Sequence, residues 1–98
     1  MSKKITQQSV RKFLDRTPFK KDNTEVVKEE SIYYLKLFGN KIAAIDNGRM
    51  WISNAGWDSN TTKERLNGLP NVNIYQKKRI WYLNGVQWDG APTYITNL

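Results

Sequence analysis

The sequence predicts a small α+β protein: an antiparallel sheet of hairpin-linked strands with one short capped helix and an amphipathic N-terminal helix. Three observations carry this. Two-residue turn signals recur (Gly39-Asn40, Asn47-Gly48, Asn84-Gly85) between segments of alternating polarity. The helical signals are few and segregated, with no βαβ repeat. At 98 residues there is room for one core, and four Trp, five Tyr and three Phe supply large buried areas for it.

The first element is a helix over Thr6 to Arg16, with Val10, Phe13 and Leu14 at helical spacing and Thr17-Pro18 as its stop. Its apolar stripe is narrow and its other face basic, so it either docks on the body or stays mobile. Phe19-Lys20-Lys21-Asp22-Asn23 reads as a polar linker. Residues 1–22 thus form a basic arm, and 23–98 a single α+β domain. Strands are expected over Thr24–Glu29, Ser31–Phe38, Lys41–Asp46 and Arg49–Ser53. Within Ser31–Phe38, Tyr33, Leu35 and Leu37 share one face.

Thr61-Thr62-Lys63-Glu64 fits a capping box, with the Thr61 hydroxyl and the Glu64 carboxylate closing the first turn of a short helix. Leu66 points inward from it, and Gly68-Leu69-Pro70 is its stop. Val72–Tyr75 and Ile80–Leu83 then form a hairpin around Gln76-Lys77-Lys78-Arg79, and Val86–Trp88 is a last short strand. The tail from Ala91, with Pro92, is expected to be loose or packed at an edge.

Composition narrows the chemistry. There is no Cys and no His, which leaves no thiolate, no imidazole base and neither of those metal ligands. Asp58 and Glu64 are the one candidate carboxylate pair, and capping already accounts for Glu64. No glycine-rich phosphate loop occurs. The expectation is a non-enzyme without metal or cofactor. No stretch approaches the ~20 apolar residues that span a bilayer, and the N-terminus lacks the apolar run of a secretory signal, so a cytoplasmic setting without membrane contact is expected.

The net charge is +7, and most of it is local. Residues 1–22 hold seven bases against two acids, whereas the other 76 residues hold nine against seven. Polyanions are the natural partners of such an arm. The candidate nucleic-acid contacts are Lys3, Lys4, Arg11, Lys12, Arg16, Lys20 and Lys21 in the arm, with Lys77, Lys78 and Arg79 on the hairpin. Tyr75, Trp81 and Tyr82 accompany those hairpin cations, although alternation puts Trp81 and Tyr82 on opposite faces. A second set is Arg49, Trp51 and Trp57, with Lys63 and Arg65 on the following helix. The rival reading makes Trp51, Trp57, Lys63 and Arg65 an interaction surface for a host protein, since Trp and Arg dominate interface hot spots.

The stretch Tyr34 to Gly90 resembles small bacteriophage proteins of unassigned function. The likeness lies in Leu37-Phe38-Gly39-Asn40-Lys41-Ile42-Ala43, in Gly56-Trp57 with Thr61-Thr62-Lys63-Glu64-Arg65-Leu66-Asn67-Gly68-Leu69, and in Trp81-Tyr82-Leu83-Asn84-Gly85 with Trp88-Asp89-Gly90. The resemblance implies a phage origin and work in the cytoplasm of the infected bacterium. It implies no activity.

Overall fold

A computed structural model describes residues 4–57 and 59–95. The predicted Lys3 contact and Asp58, one half of the carboxylate pair, lie outside the described residues. The fold is α+β, dominated by antiparallel sheet.

The elements are α1 (Lys4–Leu14), β1 (Phe19–Lys21), β2 (Thr24–Glu29), β3 (Ile32–Leu37), β4 (Asn40–Asp46), β5 (Arg49–Ile52), α2 (Asn60–Leu66), β6 (Ile74–Lys77), β7 (Ile80–Leu83), β8 (Val86–Gln87) and β9 (Thr93–Ile95). Six strands form the main sheet in the order β1-β2-β3-β4-β5-β9, and β6-β7-β8 form a second, smaller sheet. One face of the main sheet presents Val26, Leu35, Leu37, Ile45, Met50, Ile52 and Ile95 to a core shared with α1, α2 and the small sheet. Both helices pack on this side. Tyr34, Trp51 and Tyr94 occupy the alternate positions, on the open face.

The predicted linker is a strand. Phe19, Lys20 and Lys21 pair with Val26, Glu25 and Thr24, and Phe19 packs on the core. Alternation over three residues is too short to register against their polarity, but one apolar side chain facing inward suffices to seat them. The helix docks: Val10 and Phe13 are buried, with Phe13 fully enclosed.

Two turn signals hold as read. Asn47-Gly48 and Asn84-Gly85 both take positive φ at both positions, as type I′ turns require. The third turn falls one residue earlier than expected, at Phe38-Gly39 (φ 52° and 80°), leaving Asn40 paired with Leu37 in β4. A bulge opposite Leu35/Lys36 compensates by adding one residue to β4, so that Ala43 and Ile45, rather than Ala44, face the core. The hairpin expected around Gln76–Arg79 is also tighter. Its strand is Ile74–Lys77 and its turn is Lys78-Arg79, both at positive φ without a glycine.

The helix cap differs as well. Ser59, not Thr61, is the N-cap of α2, its hydroxyl accepting from the Thr62 amide at 3.2 Å. Glu64 instead binds Thr6 and Arg65. Gly68 does not take the left-handed conformation of a stop; it makes room. A Cβ there would lie 2.6 Å from Thr6 Cγ2 and 3.1 Å from Val10 Cγ2, both on α1. Past the helix, the Asn67 side chain donates to Ile74 O (2.9 Å) and accepts from Ile74 N (2.6 Å), which fixes β6 to α2. The tail packs at an edge: β9 adds to β5 through Met50↔Ile95, Trp51↔Tyr94 and Ile52↔Thr93.

Candidate nucleic-acid interface

The hairpin β6-β7 owes its exposure to the residues that build it. Ile74 and Leu83, directly opposite each other, face the core, and so does Trp81. Beyond them every residue from Tyr75 to Ile80 is exposed. The tip therefore projects, bearing Lys77, Lys78 and Arg79. Between Glu64 and Asp89 the chain has no carboxylate at all. Lys63 sits at the hairpin's base, donating to Gln76 Oε1 at 2.9 Å with its ammonium 5.5 Å from the centre of the Trp81 ring. Trp81 is buried, and Tyr75 and Tyr82 stack on the outward face, with ring centres 5.2 Å apart and planes 8° from parallel.

The arm's cations gather on the solvent side of α1 and the adjoining strand. Lys4, Arg11 and Lys12 are exposed, opposite the buried Thr6, Ser9, Val10 and Phe13. Arg16, Lys20 and Lys21 are exposed too, and Lys21 reaches back to Gln8 Oε1 at 3.4 Å. Asp15 and Glu25, which pairs with Lys20, moderate this surface.

Arg65 is not part of any exposed surface. It is 3% exposed, and its guanidinium donates to Thr24 Oγ1 (3.0 Å), Thr6 Oγ1 (2.8 Å) and the Glu64 carboxylate. It ties β2, α1 and α2 together, which is why a cation is tolerated there. Trp51 and Trp57 do not come together either. Trp51 lies half-buried on the open face, in edge-to-face contact with Tyr34 at 6.3 Å. Trp57, 61% exposed, borders a cleft of about 420 Å³ with Leu37, Ile42 and Phe38.

Two features escaped sequence reasoning. Phe38 is 70% exposed at the tip of a turn. The other is the open face itself, where Lys41 Nζ stands 4.1 Å above the Tyr34 ring and the Arg49 guanidinium 4.0 Å above Tyr94. Glu29 binds Lys41 at 2.8 Å and Lys36 at 3.7 Å there. The hydrogen bond from Lys41 holds the Glu29 carboxyl below its usual range, and the same bond raises Lys41. Among the described residues, no helix is long and apolar enough to cross a membrane.

A protein-family model described as the Kyanoviridae Gp96 protein matches residues 2–97. No curated protein and no solved structure is significantly similar to the chain.

Proposed function

Because the chain belongs to the Kyanoviridae Gp96 family of phage proteins, we propose that it is a non-enzymatic phage accessory protein that binds nucleic acid inside the infected bacterium. The hairpin tip and the solvent side of α1 contact the phosphates. One observation carries this reading: six consecutive exposed residues, Tyr75 to Ile80, present three cations in a stretch free of carboxylates. Phosphate neutralisation releases condensed counterions, so such a tip favours polyanions most at low salt. The neighbouring Tyr75 and Tyr82 supply flat apolar area beside the charge.

The test is binding of labelled DNA and RNA across a salt series. Replacing Lys77, Lys78 and Arg79 by Gln should weaken binding and flatten the slope of log K against log salt by about 2 to 3, at ~0.7 to 0.9 per phosphate contact. Absence of binding at low salt, or binding indifferent to salt, would refute the reading.

A second reading, capture of a host protein, draws on the cleft between Phe38 and Trp57. Both aromatics are largely exposed and no described residue lining the cleft is charged. A discrete partner retained from nuclease-treated bacterial lysate, lost on W57A yet kept when the hairpin cations are neutralised, would favour it over nucleic acid.

A further inference from the structure

Cross-strand register places aromatic residues from both sheets in two lines. On the outward face of the small sheet, Tyr75, Tyr82 and Gln87 stand opposite one another across β6, β7 and β8. On the open face of the main sheet, Tyr34, Ala44, Trp51 and Tyr94 do the same across β3, β4, β5 and β9. Gln87 and Tyr94, the inner ends of the two lines, both line a cleft of about 840 Å³ between the sheets. With strands ~4.8 Å apart, the first line runs about 10 Å and the second about 14 Å. We propose that the two lines and the cleft between them form one track for single-stranded nucleic acid, deepening the nucleic-acid reading above, on which it rests.

The geometry selects a single strand for a physical reason. Duplex bases are stacked inside the helix, and only unpaired bases can lie on protein rings. Tyr75 and Tyr94 are 42% and 49% exposed, at the outer end of one line and the inner end of the other. The Arg49 guanidinium over Tyr94 extends the flat surface rather than interrupting it, since a base stacks on a guanidinium plane as it does on a ring. On the open face Lys36 and Lys41 share Glu29, while Lys20 stands opposite Glu25 and Arg49 opposite Asp46, so four cations meet three carboxylates and the charge nearly cancels. Attraction there comes mainly from stacking, while the salt-dependent part of binding belongs to the hairpin tip and the solvent side of α1.

That division is what the experiment reads. Fluorescence anisotropy of the full chain is measured with a labelled single-stranded oligonucleotide of about a dozen nucleotides, within the usual site sizes, and with its duplex, over a salt series. The single strand should bind more tightly. Y94A and W51L should each weaken it roughly 5- to 150-fold, the worth of one stacked base, with the salt slope unchanged and duplex binding unaffected. Neutralising Lys77, Lys78 and Arg79 should lower the slope for both nucleic acids. Equal or tighter duplex binding overturns the track but leaves the nucleic-acid reading standing. So does full single-strand affinity in Y94A, a surface substitution that leaves the core intact. Failure of the unaltered protein to bind either nucleic acid overturns both.

Discussion

Replacing Gly68 by Ala asks whether the basic helix is part of the body. The added Cβ would lie 2.6 Å from Thr6 Cγ2, below any ordinary contact, and 3.1 Å from Val10 Cγ2. Thr6 is fully buried and Val10 nearly so; neither methyl can swing into solvent. If α1 is docked, overpacking of this kind costs ~1–3 kcal/mol, against a gain of ~0.4–1 kcal/mol from a stiffer unfolded chain. The net expectation is a loss of about 1–2 kcal/mol, or roughly 4–16 °C in Tm for a domain near this size. The sign is diagnostic. Were α1 detached in solution, no methyl would stand in the way and G68A would be neutral or mildly stabilising. Thr6→Ser removes the offending Cγ2 yet keeps the hydroxyl that accepts from Arg65 at 2.8 Å, so in a double-mutant cycle it should recover ~1 kcal/mol of the G68A loss. Chemical denaturation of the four proteins, followed by tryptophan fluorescence, measures this. A stable G68A, or a cycle without coupling, would refute docking by this contact.

Three further outcomes follow from the same geometry. R65A leaves Glu64 without its buried cation and two hydroxyls without their donor, and should cost about 3 kcal/mol in thermal or urea unfolding. F38N should stabilise by roughly 1 kcal/mol, because Asn adopts the left-handed conformation more readily than Phe and Phe38 is mostly in solvent; a lowered Tm would show that the ring packs on something. The Glu29–Lys41 pair should make a small contribution to stability, screened by solvent. A lowered carboxylate contributes above its unfolded pKa and is lost as pH falls through the folded one, while the raised lysine contributes below its unfolded pKa and is lost as pH rises through the folded one. The difference between the unaltered protein and E29Q should thus shrink at both acidic and strongly alkaline pH, as thermal unfolding across pH would record.

Local chemistry was legible where it had one solution. Asn47-Gly48 and Asn84-Gly85 could be assigned from the dipeptides alone, because few residues accept positive φ twice in succession. Phe38-Gly39 could not, since a bulky residue in that conformation is an exception imposed by register: Thr24 pairs with Leu37 and Leu37 with Asn40, which leaves Phe38 in the turn. Ser59 was overlooked as the cap because Thr61 and Glu64 fit a known spacing, while the Glu64 carboxylate was claimed by Thr6, 58 residues earlier. Arg65 looked like a surface cation for the same reason: the hydroxyls that bury it, on Thr6 and Thr24, are distant in sequence. The basic hairpin could be read from composition and alternation, although its strand begins two residues later than expected. The alignment of Tyr34, Trp51 and Tyr94 could not, because it depends on the register of three separate strand pairings and on a bulge in β4.

The position of β1 and β9 bears on how any of this can be studied. Each is three residues long, and they close the two sides of the main sheet, one from each end of the chain. Removing residues 1–22, the obvious way to ask what the basic arm does, would strip Phe13 and Phe19 from the core and bare the hydrogen-bonding edge of β2, a six-residue strand. A long bare edge of that kind invites strand-to-strand aggregation, which the short, lysine-bearing β1 discourages. A truncated chain that precipitated, or that clung to nucleic acid non-specifically, would report on the exposed edge and not on the missing lysines. The charge of the arm has to be altered one side chain at a time, with the backbone left whole.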